Sequence, residues 1–153
     1  MEICIVILGG IIFVLSLWVA FEGKKDNHGG GKMSEIAFTN IDVLKGMFRV
    51  AWHPKLIALL VWIKIRYDKA SIILTCAYEE RDYPSPHSTK PLRAFDMRST
   101  TFKYPANIAK DINSEWVYDP GRPDKRVAIY HDVGRGLHLH LQVHDNTKWL
   151  MAK

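Results

Sequence analysis

The clearest hydrophobic pattern in the chain is a strict alternation of apolar and polar residues between positions 137 and 144. In order, these residues are Leu137, His138, Leu139, His140, Leu141, Gln142, Val143 and His144. Side chains two positions apart on a β-strand point to the same face, so the segment predicts a strand with one apolar face and one face that carries three imidazoles. A face so rich in imidazole predicts a bound ligand, and imidazole commonly binds metal ions.

Apolar periodicity divides the rest of the chain after residue 36 into further elements. Three helices are predicted, over residues 40–48, 55–67 and 105–115. Four strands are predicted, over residues 70–78, 92–100, 126–131 and 137–144, the last two as a hairpin. Asn40 is a good N-cap for the first helix, and Pro54 suits the first turn of the second. These elements predict a small α+β domain.

Residues 3–21 form an apolar run of nineteen residues without a charged side chain. A helix of about 20 apolar residues spans a bilayer, so the run predicts a transmembrane anchor over residues 1–22. Residues 23–35 are polar and rich in glycine, which predicts a flexible linker to a domain over residues 36–153. A cleaved signal peptide and a helix buried in a protein assembly are the alternatives. Glu2 and the length of the run argue against the signal peptide.

The formal net charge of +5 belongs to the domain, because charged residues in positions 1–32 cancel. A basic domain can approach an anionic cell-wall polymer, a membrane or a nucleic acid, although a solvated surface of mixed charge explains the same excess. No nucleic-acid-binding motif is present. The two cysteines are Cys4, in the apolar run, and Cys76, in a predicted buried strand, so we expect no disulfide between them.

A second polar group, His87 and Asp96, precedes the histidine-rich strand. Two histidines and one aspartate around an open coordination position are the ligand set of a catalytic zinc ion. Zinc in such a site lowers the pKa of a bound water toward about 7 and polarises a carbonyl group. The other histidines suggest less: His28 lies in the linker, and His53 begins a helix. We place His131 at the rim of such a site, beside the hairpin, and His144 at the rim or in a structural role.

Three short motifs carry a family resemblance: Ser85-x-His87, Ala94-x-Asp96 and His138-x-His140. Together, and over residues 40–147, the chain resembles the zinc peptidases of the M15, D-Ala-D-Ala carboxypeptidase and LAS type. These cut peptidoglycan peptides and share their fold with the hedgehog signalling domain. The resemblance implies a small antiparallel sheet with helices on one side. It also implies that His87, Asp96 and His140 bind Zn²⁺. His138 would act beside the metal by taking a proton or stabilising the tetrahedral intermediate.

The chain departs from the family pattern at two positions. Eight residues, 88–95, separate His87 from Asp96, where the family has fewer, and we expect the extra residues around Lys90-Pro91 to bulge between loop and strand. Leu137 stands where the dipeptidase branch of the family has a catalytic glutamate. The chain therefore matches the His-x-His branch, and the general base is not assigned.

Arg81, in the loop after the predicted strand 70–78, matches in position an arginine that lies near the substrate in the family. An arginine there would hold a peptide carboxylate or stabilise the developing oxyanion. A surface ion pair of Arg81 with Glu79 or Glu80 is the alternative.

The resemblance implies a metallopeptidase or amidase, a hydrolase of cell-wall peptidoglycan peptides such as an endolysin anchored by its transmembrane helix. The alternative is a non-catalytic domain of the same fold, a binding or structural component of a membrane or virion assembly. A peptidoglycan enzyme needs its domain on the cell-wall side of the membrane. Lys24, Lys25 and Lys32 follow the predicted anchor and favour the cytoplasmic side by the positive-inside rule.

Overall fold

A computed structural model describes residues 6–8, 11–13 and 36–150 of the chain. The strands are β1 (Val6–Leu8), β2 (Ile11–Phe13), β3 (Ile36–Phe38), β4 (Ile72–Cys76), β5 (Ala94–Arg98), β6 (Trp116–Val117), β7 (Ala128–His131), β8 (His138–Gln142) and β9 (Lys148–Trp149). Five of them form one mixed sheet in the order β3-β4-β5-β8-β7. Short sheets of two strands join β1 to β2 and β6 to β9. The chain is thus an α+β protein.

The helices are α1 (Ile41–Arg49), α2 (Pro54–Arg66) and α3 (Pro105–Glu115), close to the predicted bounds. The side-chain oxygen of Asn40 accepts hydrogen bonds at 3.0 Å from the backbone N–H groups of Asp42 and Val43, which caps α1 as predicted. Pro54 begins α2, where its missing N–H leaves no hydrogen bond unmade. All three predicted helices are confirmed.

The apolar core lies on one face of the large sheet. The side chains of Phe95, Met97, Leu139 and Leu141 are fully buried there. The predicted apolar stripe of α2 packs in the same core and comprises Leu56, Leu59, Leu60 and Ile63. Ile112 of α3 joins it. Because side chains alternate along each strand, the residues between these apolar ones lie on the opposite face of the sheet.

The structure corrects the predicted sheet in two respects. β3 is a strand that the apolar pattern does not predict, because three residues are too few to display a clear alternation. β3 also pairs in parallel with β4, with Ile36 opposite Ile72, so the sheet is mixed and not antiparallel throughout. A parallel pair needs a long crossover connection. Here α1 and α2 lie between the two strands in the chain and provide it.

The predicted hairpin of β7 and β8 is confirmed. Gly134 and Gly136 in its turn have φ values of 85° and 90°, in the left-handed region that glycine adopts without steric cost. Both glycine N–H groups donate to Oδ1 of Asp132, at 2.7 and 3.0 Å. Asn113 then ties α3 to β7, because its Oδ1 accepts from the backbone N–H groups of Val127 and Ala128 at 3.0 Å.

The amino-terminal segment differs from the prediction where the structure describes it. β1 and β2 pair as antiparallel strands within residues 3–21, where the sequence predicts a helix. The other residues of the predicted anchor, the linker over 23–35 and Cys4 lie outside the described residues. Within the described part of the chain, no helix has the length and apolar character needed to cross a membrane.

Candidate metal centre

The polar face of the large sheet forms the floor of a cleft with a volume of about 650 Å³. The register of β5 and β8 places Asp96 opposite His140 and Arg98 opposite His138. The register of β7 and β8 places His131 opposite His138. The alternation predicted along the histidine-rich strand therefore does bring His138 and His140 to one face, together with Asp96.

His87 enters this cleft from a 3-10 turn, Pro86–Ser88, between β4 and β5. Its backbone N–H donates to Oγ of Ser85 at 3.3 Å, which fixes the start of the turn. The side chain is buried, and Nδ1 lies 2.9 Å from the carbonyl oxygen of Ala77. A carbonyl only accepts hydrogen bonds, so Nδ1 carries the hydrogen and Nε2 is the nitrogen turned to the centre of the cleft.

Three ligand-type atoms from distant parts of the chain meet at that centre. Nε2 of His87 lies 3.2 Å from Nδ1 of His140 and 3.3 Å from Oδ1 of Asp96. Nδ1 of His140 lies 2.8 Å from the same Asp96 oxygen. The three predicted metal ligands are therefore in mutual contact.

Cys76 is a further candidate ligand, which the sequence pattern does not predict. Its Sγ lies 3.5 Å from Nδ1 of His87. Cys76, His87 and Asp96 each offer a ligand atom within 4.8 Å of the others, so this group could hold a metal ion. His87 and Asp96 are thus shared by two possible triads, one completed by Cys76 and the other by His140.

A β-bulge explains why the apolar pattern does not predict Cys76 as a ligand. Leu74 is fully buried, and simple alternation would turn Cys76 toward the same apolar core. The register shifts within β4, however, so that Leu74 and Cys76 lie opposite two consecutive residues of β5, Met97 and Asp96. Thr75 is the extra residue of the bulge, which re-aims the side chain that follows it. Nothing in the apolar pattern of β4 marks this shift.

Burial and charge at the centre shift two pKa values in opposite directions. Burial alone would lower the pKa of His87, but hydrogen bonds with Asp96 and Cys76 outweigh it and raise the pKa to about 10. Burial alone would raise the pKa of Asp96, but the hydrogen bonds from His140 and His87 hold it well below its usual range. Without a bound metal, His87 and Asp96 therefore form a buried ion pair.

His138 lies beside the triad and not within it. Its Nδ1 donates to the carbonyl oxygen of Gly136 at 2.8 Å, so Nε2 is turned toward Asp96, whose Oδ2 lies 3.9 Å away. The ring of His131 lies 4.8 Å from that of His138 and lines the cleft, close to the predicted rim position. Burial, followed by the nearby His138 and His140, lowers the pKa of His131.

Arg81 lines the cleft and makes one of the two ion pairs considered as its alternative role. Its Nε donates to Oε2 of Glu79 at 2.9 Å. One terminal nitrogen also donates to the hydroxyl oxygens of Tyr83 and Ser85, at 3.1 and 3.3 Å. The ion pair is confirmed, and the role of Arg81 toward a substrate stays a prediction.

Two histidines have structural positions away from the cleft. Nδ1 of His53 accepts from the N–H of Lys55 at 3.2 Å, which confirms its place at the start of α2. His144 follows the end of β8, and its Nδ1 lies 3.3 Å from Oδ2 of Asp119. The alternation predicts His144 on the same strand face as His138 and His140, but the strand ends before it, at Gln142. His28 lies outside the described residues.

No family model matches this chain, and no curated protein or solved structure matches it either. Two features of the chain itself therefore bear on its function. One is the set of three motifs in its sequence, and the other is the geometry that the fold gives to His87, Asp96 and His140.

Proposed function

We propose that this chain is a zinc-dependent peptidase or amidase that hydrolyses peptidoglycan peptides. The observation that carries the proposal is the triangle of His87 Nε2, Asp96 Oδ1 and His140 Nδ1, with edges of 3.3, 2.8 and 3.2 Å. Tetrahedral zinc, with bonds of about 2.0–2.2 Å to nitrogen and oxygen, holds its ligand atoms roughly 3.3–3.5 Å apart. The edge between His87 and Asp96 already has that length, and the two edges to His140 are shorter and would lengthen if a metal were bound.

The hydrogen bond of His87 to Ala77 favours His140 over Cys76 as the third ligand. Metal-binding histidines commonly donate their second ring N–H to a carbonyl, which fixes the tautomer and orients the ring. In His87 this second nitrogen is Nδ1, at 2.9 Å from the Ala77 carbonyl oxygen. Cys76 lies on the Nδ1 side of the ring, whereas His140 faces Nε2. We therefore assign Cys76 to the surroundings of the site.

His138 supplies the acid–base chemistry in this proposal. When bound, zinc contributes a Lewis acid and an activated water. Because Nδ1 of His138 is committed to the Gly136 carbonyl, its free nitrogen is Nε2, on the side of Asp96. Nε2 can accept the proton of the water that adds to the peptide carbonyl carbon. It can then return that proton to the leaving amine nitrogen as the C–N bond breaks.

The motifs that resemble the M15 and LAS zinc peptidases support the same assignment. The longer spacing between His87 and Asp96 does not separate the two residues, whose side chains lie 3.3 Å apart. The additional residues contain a cis Lys90–Pro91 peptide bond, and Leu92 then bridges to Trp52 beside α2. None of residues 88–95 lines the cleft, so the additional residues lie outside it.

One observation favours a second candidate, a non-catalytic zinc-binding or structural domain. Leu137 lines the cleft beside His138, at the position where one branch of the resembling family has a glutamate base. Its side chain cannot carry a proton. If His138 does not replace that glutamate, the site would bind zinc without hydrolysing peptides, as a component of a membrane or virion assembly would.

Zinc content and peptidoglycan hydrolysis, measured on matched variants, test the proposal. We expect about one zinc per chain in the unsubstituted protein. His140→Ala should lose the zinc and some stability, because metal binding also stabilises the fold. His138→Ala should keep zinc and lose hydrolysis on the order of a hundredfold or more. Cys76→Ala should retain zinc, and His144→Ala, outside the cleft, should change neither quantity.

The outcomes separate the candidates. Less than about a tenth of an equivalent of zinc, even after zinc is added, would reject the metal site. Loss of zinc in Cys76→Ala with retention in His140→Ala would assign the third ligand to Cys76. Full zinc content without release of any peptidoglycan fragment would favour the non-catalytic domain.

A further inference from the structure

Arginine dominates the charged groups that line the cleft. Three arginines, Arg81, Arg98 and Arg135, line it together with a single carboxylate, that of Asp96. Asp96 is engaged by His87 and His140, and on the proposed function it binds the metal. The cleft therefore has positive charge in excess and favours an anionic ligand.

Two of these arginines form ion pairs with the same acidic residue, Glu79. Arg81 donates to Glu79, and a terminal nitrogen of Arg135 lies 3.8 Å from the other carboxylate oxygen of Glu79. The side chain of Arg135 is also 76% exposed, so its charge is well screened by solvent. Arg81 and Arg135 are therefore less available than an unpaired arginine to bind the carboxylate of a ligand.

Arg98 differs from both, because its guanidinium group has no hydrogen-bond or ion-pair partner among residues 36–150. It is half-buried on the polar face of β5, opposite His138 and two residues from Asp96. Two residues along a strand correspond to roughly 6.6 Å, so Arg98 is the next residue after Asp96 on the same face of β5. A guanidinium group has five donors in a planar fork that matches a carboxylate. A half-buried guanidinium group is less hydrated than an exposed one, so a carboxylate partner stabilises it more.

We infer that Arg98 determines substrate specificity by binding a carboxylate of the peptide, next to the bond that is cut. This inference rests on the proposed function and deepens it: the substrate class is a peptide with a free carboxylate about one residue from the scissile bond. That carboxylate is either the peptide's C-terminus or an acidic side chain. His138 lies opposite Arg98 and beside the triad, so a peptide that spans both groups passes the proposed acid–base residue.

Four synthetic peptidoglycan stem peptides test the inference with the full chain. The first has a free C-terminus, the second is its amide, the third has an acidic side chain, and the fourth replaces that side chain by its amide. Cleavage rates and binding to each peptide are measured for the unsubstituted protein, Arg98→Gln and Arg98→Lys. Arg126→Gln, an exposed arginine outside the cleft, is the matched control.

We expect the unsubstituted protein to prefer one acid over its amide by about tenfold or more, which is typical of a hydrogen bond to a charged group. Arg98→Gln should abolish that preference and leave the rate on the amide within about twofold. Arg98→Lys should keep part of the preference, and Arg126→Gln all of it. The pair of peptides that responds identifies the carboxylate as terminal or side-chain.

Two results would overturn the inference. One is an equal loss on acid and amide in Arg98→Gln, and the other is an unchanged preference for the acid. Failure of the proposed function is distinguishable, because binding is measured separately. If no peptide is cleaved but Arg98→Gln still removes the tighter binding of the acid, Arg98 is a carboxylate-binding residue and the hydrolase proposal falls.

Discussion

At the scale of single residues, His87 makes the protein without metal sensitive to pH. Hydrogen bonds with Asp96 and Cys76 overcome the effect of burial and raise the pKa of His87 to about 10. A histidine in an unfolded chain has a pKa of about 6.5. The folded state thus binds this proton more tightly, which contributes stability that is complete below about pH 6.5 and lost as the pH rises toward about 10.

We therefore expect the free energy of unfolding of the metal-free protein to fall between about pH 6.5 and pH 10. Other groups titrate in this interval, so His87→Gln is the comparison, and its stability should fall less steeply. Chemical denaturation in the presence of a chelator, at several pH values, measures both. Zinc must displace the same proton, so its apparent affinity should rise with pH over this interval. Parallel stability curves for the two proteins would contradict the prediction.

At the scale of elements, α1 and the segment that follows β4 approach closely at Gly46. A Cβ atom added at Gly46 would lie 2.6 Å from the backbone oxygen of Tyr78, a contact that no side-chain rotation relieves. The preceding residue, Ala77, supplies the carbonyl that orients His87. The packing of α1 and the orientation of a proposed zinc ligand are therefore coupled through two consecutive residues.

Gly46→Ala should lower the free energy of unfolding by about 1–2 kcal/mol, because overpacking outweighs the gain in helix propensity. It should also weaken zinc binding, since Tyr78 cannot shift without moving the Ala77 carbonyl. Gly121→Ala is the control: there a Cβ would meet only a side-chain oxygen of Asp119 at 3.4 Å, and we expect a change within about 0.5 kcal/mol. Denaturant midpoints and zinc titrations check both variants. Equal stability of the two would contradict this account of Gly46.

At the scale of the whole molecule, the apolar run over residues 3–21 is proposed to anchor the protein in a membrane. In a bilayer, backbone groups must be hydrogen-bonded within the segment, which favours a helix there. The full-length chain should remain in membranes after carbonate extraction with Met1 retained. A variant that lacks residues 1–22 should be released, whereas a soluble product beginning near residue 22 would indicate a signal peptide.

The orientation of the anchored domain separates the two candidate functions. A peptidoglycan hydrolase needs its cleft on the cell-wall side, whereas Lys24, Lys25 and Lys32 favour retention in the cytoplasm. Access of protease to the domain in spheroplasts would agree with the hydrolase. Protection of the domain would count against a peptidoglycan substrate.

Local patterns were sufficient to predict the helices and the face that carries the histidines. A helix cap such as Asn40 is a local signal, and so is the apolar stripe of α2, formed by Leu56, Leu59, Leu60 and Ile63. Both can be recognised in the sequence, because helix formation and strand alternation depend on residues that are close along the chain. The grouping of His87, Asp96 and His140 at one site is predicted from the motifs that resemble those of the zinc peptidases, and not from apolar periodicity. The distances among their ligand atoms agree with that selection.

The tertiary structure alone decided what depends on register and on contacts distant in sequence. The parallel pairing of β3, the bulge at Thr75 that turns Cys76 to the histidine face, and the commitment of Arg81 to Glu79 all arise from such contacts. A one-residue shift in register moves a side chain to the other face of a sheet, and no local pattern records it. The sequence by itself therefore determined which residues are candidate metal ligands, namely His87, Asp96 and His140. Folding decided which of them meet, and left Arg98 without a partner within residues 36–150.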